Sequence, residues 1–194
     1  MSVTYTNRKG VTYYLCRSIT KTGKPRYVFA CEPKGEPVEH IPDGYTISES
    51  INGVVSLVKE RPGQILPDEV ATVEAALAHH PKKRNYRVNV RPERIEVYEL
   101  VGTDPQELIA ALDQMGLLFG GAADRVGATL DRHAQFTPVM RFTLVDAEQR
   151  TFRAERMCYL GSIDDWIDID YGPMDQLAAR LIPALGTDEF FELF

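Results

Sequence analysis

The sequence is short of the residues that carry most catalytic and redox chemistry. It contains four histidines, three cysteines and one tryptophan among 194 residues. Cys16, Cys31 and Cys158 are odd in number and far apart, and no two of them have the CxxC spacing. This pattern is typical of reduced thiols in a cytosolic protein, so we expect a cytoplasmic location.

Long apolar runs are also absent. No run approaches the ~18 residues that are needed to cross a bilayer. The opening MSVTYTNRKG has no apolar stretch after its charges and does not resemble a secretory signal. We therefore expect no membrane partner. Hydrophobic residues at 44% and charged residues at 26% predict a chain with a packed core.

The common catalytic and cofactor-binding motifs are missing. The chain has no GxxxxGK[ST], no GxGxxG that opens a helix, no HExxH and no GxSxG. His79 and His80 are adjacent, so on a helix their side chains diverge by about 100° and do not grip one metal ion. Each cysteine lies in an apolar segment, where a small buried thiol is usual. We expect no cofactor, and the sequence favours a protein without catalysis of its own.

Acidic residues are absent from the first 31 positions, although the whole chain has a formal net charge of -6. Residues 1–30 sum to +6, whereas residues 101–194 sum to -9 from seven arginines and sixteen acids. Such asymmetry is typical of a basic binding face, or of two regions that attract each other.

The first sixty residues predict an antiparallel β meander. Segments 3–6, 11–19 and 25–31 are rich in Val, Thr, Tyr and Phe and are separated by short turns that end in Gly or Lys. Segments 45–50 and 54–59 predict a further hairpin, because the Asn-Gly pair between them is the strongest short-range turn signal.

Helices and strand pairs follow each other in the rest of the chain. In order, the pattern predicts a helix from Pro67 to Pro81, a hairpin over 85–100, a helix capped by Thr103, a helix over 121–133, a hairpin over 139–160 and a last helix that carries Leu177, Leu181 and Leu185. Strand pairs without regular βαβ alternation predict an α+β fold with antiparallel sheets. We expect an N-terminal β meander over 1–62 and a mixed α/β portion with about four helices over 63–194.

Four basic residues flank the second turn of the meander: Arg17, Lys21, Lys24 and Arg26. We call them the basic hairpin. Basic hairpins with aromatic neighbours can enter a nucleic-acid groove or stack on bases, and phosphate contacts then supply most of the affinity. The competing interpretation is a solvated surface, since Lys and Arg at turn tips commonly protect sheet edges. Whether Arg17 and Arg26 share a face depends on the strand register.

The densest acidic cluster is GSIDDWIDIDYGP, which we call the aspartate segment (161–173). Hard cations need several carboxylates that converge on the ion. In a strand Asp168 and Asp170 would share one face, and Asp164 would join them across a bend. The structural alternative is that Ser162 caps a short turn and the apolar residues of the segment pack inward.

Arginine and glutamate alternate in the later hairpin. The arginines Arg141, Arg150, Arg153 and Arg156 alternate with Glu148 and Glu155, which indicates cross-strand ion pairs. Exposed pairs of this kind contribute ~0–1 kcal/mol each, so we do not expect them to mark a functional site.

Several strings occur in a recognisable order: VTYTNRKGVTYYL, TKTGKPRY, IPDGYTI, VMRFTLVD, GSIDDWIDI and FFELF. The chain resembles, over nearly its whole length, a family of uncharacterised bacterial proteins of unknown function. The resemblance implies a bacterial, cytoplasmic origin. None of these strings is a catalytic signature, so the resemblance implies no activity, ligand or site residue.

The absent catalytic signatures and the polarised charge favour a protein that acts by binding another macromolecule, either a protein or a nucleic acid. One alternative is a nucleic-acid-binding protein that uses the basic hairpin. The other is a metal-dependent enzyme centred on Asp164, Asp168 and Asp170.

Overall fold

The computed structural model describes residues 2–33, 35–117, 122–159 and 164–193. The chain forms two compact units, Met1–Arg61 with Ala128–His133, and Pro62–Gly127 with Ala134–Phe194. The predicted α+β class with antiparallel sheets is confirmed, and the described residues contain five α-helices, four of them with seven residues or more. No helix in these ranges is both long enough and apolar enough to span a bilayer.

The first unit consists of short antiparallel strands. These are β1 (Thr4–Thr6), β2 (Thr12–Ile19), β3 (Pro25–Ala30), β4 (Glu36–Pro37), β5 (Tyr45–Glu49) and β6 (Val55–Lys59). Strand β2 is central, since β1 and β4 pair with it as well as β3, while β5 and β6 form a separate hairpin. Leu15, Phe29 and Val55 are the buried centre of this unit.

Asn7 joins two turns of the first unit. Its Nδ2 donates to the carbonyl of Gly53 at 2.6 Å, and its Oδ1 accepts from the backbone N–H groups of Lys9 and Val11 at 3.0 and 2.8 Å. The side chain thus satisfies the β1–β2 turn and ties it to the β5–β6 turn, which explains why a polar residue is buried here.

The second unit is a five-stranded antiparallel sheet with helices. Its strands are β7 (Tyr86–Arg91), β8 (Arg94–Leu100), β9 (Phe136–Asp146), β10 (Thr151–Tyr159) and β11 (Asp164–Gly172). Its helices are α1 (Pro67–Ala78), α2 (Pro105–Gln114), α4 (Met174–Leu181) and α5 (Asp188–Glu192), with a 3-10 turn (Lys83–Asn85) before β7. Helix α3 (Ala122–His133) lies between α2 and β9 in the chain. The strand order β11-β10-β9-β8-β7 follows the chain: short turns join β7 to β8 and β9 to β10, whereas α2 and α3 lie between β8 and β9.

Helices α1 and α4 pack on one face of the large sheet. Val73 of α1 and Leu177 of α4 belong to one buried cluster with Ile95, Phe142 and Phe152 of the strands. All five side chains are at most 1% exposed. Full burial of side chains of this size contributes roughly 1.5–3 kcal/mol each, so this cluster is the main source of stability in the unit.

Arg150 fixes the β9–β10 turn to the beginning of α1. It has a positive φ of 51°, which is unusual for a residue other than glycine. Its guanidinium forms a bidentate pair with Glu69 at 2.8 and 2.6 Å, and Glu69 also accepts the backbone N–H of Leu66 at 2.8 Å. These charge-assisted bonds offset the backbone strain at Arg150.

Two predicted helix ends differ from the structure. Asp104, not Thr103, caps α2, because its carboxylate accepts the N–H of Gln106 at 2.8 Å. The helix predicted to carry Leu185 is α4, and it ends at Leu181, since Pro183 lacks an N–H and its ring obstructs a continuing helix. Leu185 is nevertheless buried, with 2% exposed.

Gly186 offers a test of the packing after α4. Its φ is +69°, and a Cβ there would lie 2.7 Å from the Tyr86 hydroxyl, which donates to Glu99 at 2.8 Å. Gly116 is a matched control, because its φ is +68° and a Cβ there meets nothing within 4 Å. We expect Gly116→Ala to cost about 1–2 kcal/mol of unfolding free energy from backbone strain, and Gly186→Ala to cost roughly 2–4 kcal/mol because the contact is added. Urea denaturation of both variants measures the difference, and equal losses would contradict the predicted contact.

Candidate functional site

The side of the large sheet opposite α1 and α4 is polar, and we call it the outer face. Successive side chains on a strand point to opposite sides of a sheet. Ile95, Phe142 and Phe152 point to the helices, so the residues that alternate with them, such as Glu96, Arg141 and Arg153, belong to the outer face. Every strand of the sheet contributes to it.

One row of polar residues crosses all five strands of the outer face. The register places Asn89 opposite Glu96, Glu96 opposite Arg141, Arg141 opposite Glu155 and Glu155 opposite Asp168. We call this the central row. It brings two glutamates to either side of one arginine in the middle of the sheet.

A second row, which we call the basic row, lies beside the central row. Arg91, Arg94, Thr143, Arg153 and Tyr171 stand opposite one another in that order across the five strands. Neighbouring strands are ~4.8 Å apart, so the row is about 19 Å long. Three of its five positions are arginine, and none is acidic.

Aromatic side chains lie on the other side of the central row. Tyr98 follows Glu96 on the same face of β8, and Trp166 precedes Asp168 on the same face of β11. The guanidinium of Arg141 lies over the Trp166 ring, 4.2 Å from its centroid. Tyr98 donates its hydroxyl to Glu96 at 3.2 Å.

Glu96 is buried under the arginines of the basic row. Glu96 is 6% exposed. Its carboxylate accepts hydrogen bonds from Arg94 Nε at 2.7 Å, from Asn89 Nδ2 at 2.9 Å and from Arg91 Nε at 3.5 Å. Burial alone raises the pKa of Glu96, but the bonds from Arg94 and Asn89 and the charges of Arg94 and Arg91 outweigh it, so the pKa lies below its usual value. The carboxylate is thus held ionised.

Glu155 occupies the equivalent position on β10, on the other side of Arg141. It is 3% exposed and accepts two bonds from Arg141, at 2.7 and 2.6 Å, and one from Thr143 at 2.9 Å. Burial raises the pKa of Glu155, but the bonds from Arg141 and Thr143 and the charges of Arg141 and Arg153 outweigh it, so this pKa also lies below its usual value. Arg141 and Glu155 thus form a cross-strand ion pair of the kind that the alternation predicts, and its carboxylate is buried, whereas Arg150 pairs with Glu69 of α1.

The arginines of the basic row keep donor groups for a ligand. The side chains of Arg91, Arg94 and Arg153 are 38%, 42% and 35% exposed. Arg91 and Arg94 each use Nε for Glu96, and a guanidinium has five N–H donors, so further donors remain on each. Arg153 lies 3.6 Å from Glu155 and 3.7 Å from Asp168. The buried carboxylate of Glu96 therefore orients the guanidinium groups of Arg91 and Arg94 by hydrogen bonds, whereas Arg153 is near two carboxylates without a hydrogen bond from its Nε to any described residue.

The basic hairpin is divided by its register. Arg17 stands opposite Tyr27 and Ser18 stands opposite Arg26, so Arg17 and Arg26 point to opposite faces of the β2–β3 hairpin. Lys21 and Lys24 are exposed in the turn beyond them. The structure therefore does not bring all four charges to one face. Nucleic-acid binding by these residues stays a prediction.

The aspartate segment is a strand from Asp164 onward, and Ser162 and the side chain of Asp164 lie outside the described residues. A bulge places Asp168 opposite Glu155 and Asp170 opposite Ala154, and adds one residue between them. Asp168 accepts from the Tyr171 hydroxyl at 2.5 Å on the outer face, whereas Asp170 pairs with Arg180 of α4.

The expectation that Asp168 and Asp170 share a face is wrong, because the bulge changes the alternation between them. Within the described residues, no three His, Cys, Asp or Glu side chains are placed to hold a metal ion. A metal site at Asp164, Asp168 and Asp170 stays a prediction.

Sequence reasoning missed the outer face as a site. The signal was present in the alternation of charged and apolar residues over 87–98 and 141–155, but the rows follow from the pairing of five strands.

No protein-family model, no curated protein and no solved structure matches this chain. The resemblance to a family of bacterial proteins therefore stays a prediction.

The lowered pKa of Glu155 predicts a pH-dependent contribution to stability. Its pKa is lower in the folded chain than in the unfolded one, so its contribution is complete above the unfolded value of about 4.3 and is lost as the pH falls through the folded value. We expect Glu155→Gln to lower the free energy of unfolding by roughly 1–3 kcal/mol at pH 7, and the difference from the native chain to shrink below about pH 4.

Urea denaturation between pH 7 and pH 3 measures this difference. Glu148→Gln is the control, since Glu148 is exposed in the β9–β10 turn and its substitution is expected to change the stability by less than about 0.5 kcal/mol. A loss at Glu155 that stays constant over the whole pH range would show that the ionised carboxylate is not the cause.

Proposed function

We propose that this protein acts by binding an anionic macromolecule, and that the basic row on the outer face is the contact surface. The observation that carries the proposal is the arrangement of Arg91, Arg94 and Arg153 in one row, each beside a buried carboxylate. Hydrogen bonds to Glu96 hold Arg91 and Arg94 in place, and Arg153 lies 3.6 Å from Glu155.

Guanidinium groups that are oriented before a ligand arrives favour its binding. A free arginine side chain has about 2 kcal/mol of rotamer entropy, and some of this is lost when it contacts a ligand. Glu96 restricts the guanidinium groups of Arg91 and Arg94 before any ligand arrives, so less entropy is lost on binding. The planar N–H groups also match carboxylate and phosphate oxygens in pairs, which makes these contacts charge-assisted and directional.

The charge of the outer face supports an anionic partner. The central and basic rows together contain four arginines and three carboxylates, so they carry one net positive charge, whereas the whole chain has a net charge of -6. A local positive surface on an acidic protein attracts an anion to that surface and disfavours contact elsewhere. The proposal retains a macromolecular partner and no catalysis of its own, and it changes the predicted contact residues.

The proposal predicts which positive charges matter. We expect Arg91→Ala/Arg94→Ala to weaken binding of a labelled polyanion by roughly 10–100-fold, since two charge-assisted contacts of ~1.5 kcal/mol or more are lost. Lys21→Ala/Lys24→Ala removes the same charge from the basic hairpin and is expected to change affinity by less than about threefold. Fluorescence anisotropy with an oligonucleotide and with polyglutamate, each at two salt concentrations, gives the affinities.

A second variant separates binding from folding. Arg153→Ala leaves the bidentate pair of Glu155 with Arg141 in place, so we expect the fold to persist while affinity falls. Circular dichroism confirms the fold of each variant. The proposal fails if neither polyanion binds at low salt. It also fails if the lysine variant loses binding and both arginine variants keep it, an outcome that would favour the basic hairpin.

A further inference from the structure

We infer that the anionic partner is a single-stranded nucleic acid, with its phosphates on the basic row and its bases on exposed tyrosine rings of the outer face. This inference rests on the proposed function, because it names the ligand class of the same surface. Three observations support it: the position of the rings, the choice of arginine as the cation, and the charge of the rest of the chain.

Two tyrosine rings on the outer face are exposed and held in place. Tyr171 is 55% exposed, and its hydroxyl donates to Asp168 at 2.5 Å. Tyr159 is 53% exposed, and its hydroxyl lies 3.1 Å from the carbonyl of Pro138 and 2.6 Å from the Thr137 hydroxyl. Large rings that are exposed yet anchored at the hydroxyl offer a flat surface for stacking with little entropy left to lose.

The position of Tyr171 matches a nucleotide. It stands directly opposite Arg153 in the register of β10 and β11, at the end of the basic row. Opposite residues on neighbouring strands are about 5 Å apart at Cα, so a guanidinium and a ring lie side by side. A nucleotide carries an anionic phosphate and a flat base within similar reach, whereas an acidic peptide would use the arginines and leave the ring without a stacking partner.

Arginine is the only basic residue type in the central and basic rows, although the chain has lysines elsewhere. A guanidinium binds phosphate oxygens in pairs and also stacks on flat rings, while an ammonium does neither as well. Arg141 already stacks on Trp166 in this face. The surface is therefore suited to a ligand with both phosphates and bases.

A single strand fits better than a duplex on two physical grounds. Its bases are unstacked and able to reach the tyrosine rings, whereas a duplex buries its base faces. Duplex DNA also carries one charge per ~1.7 Å, about twice the linear charge density of one strand, so it is repelled more strongly by a protein with a net charge of -6.

Three labelled ligands test the inference by fluorescence anisotropy: an oligothymidine of about ten nucleotides, a duplex of the same length and polyglutamate. We expect the single strand to bind at least about tenfold more tightly than either of the others, and its affinity to fall steeply with salt. Trp166 is the only tryptophan of the chain and lies on the outer face, so its fluorescence should change when the single strand binds.

Tyr171 supplies the matched pair of variants. Tyr171→Leu removes the ring, keeps an apolar side chain, and is expected to weaken binding of the single strand by about tenfold. Tyr171→Phe keeps the ring and loses the bond to Asp168, so we expect a change of less than about threefold. Both substitutions are at an exposed position, and circular dichroism checks that the fold is unchanged.

The outcomes separate the inference from the proposed function. If polyglutamate binds as tightly as the single strand and Arg91→Ala/Arg94→Ala weakens it, the proposed function stands and the nucleic-acid inference is overturned. Equal affinity for duplex and single strand, or native affinity of Tyr171→Leu, overturns the inference in the same way. If none of the three ligands binds at low salt, both fall.

Discussion

The burial of Glu96 and Glu155 beneath arginines is the interaction on which the outer face depends. A carboxylate removed from water without a partner costs several kcal/mol, so each glutamate requires a cation close by. Arg94 and Arg141 supply it with bonds of 2.7 and 2.6 Å. The buried carboxylates also restrict the arginines, because an arginine that moves away leaves a buried charge uncompensated. The guanidinium groups are therefore kept in their rows.

Different interactions hold the side chains on the two sides of the large sheet, although both sides belong to the same strands. Toward α1 and α4 the side chains are apolar and closely packed, and their burial stabilises the unit without directional bonds. On the outer face the side chains are long and charged, and directional bonds decide where each one points. The apolar side therefore supplies most of the stability, and the outer face combines the proposed recognition with the ion pairs that compensate its buried carboxylates.

β-Bulges change which face of the sheet a side chain is on, so that regular alternation along a strand no longer predicts it. One lies between Val97 and Tyr98, and another between Ala154 and Glu155. The second bulge sends Asp168 to the outer face, beside Arg153, and Asp170 to Arg180 of α4. One added residue therefore divides an acidic cluster that is compact in the sequence, and gives each carboxylate a different neighbour.

Local signals in the sequence by themselves determined the fold class and most of the elements. Val-, Thr- and Tyr-rich runs, the Asn-Gly turn at Gly53 and the Pro67 start of α1 act within a few residues, so the strands and the first helix were predictable. What only the tertiary structure decided is which side chains meet. Glu96 and Glu155 are far apart in the chain and become neighbours of Arg141 through the register of three strands. Register is fixed by the packing of the whole apolar face, and a slip of one residue would exchange the two faces, so no local pattern contains it.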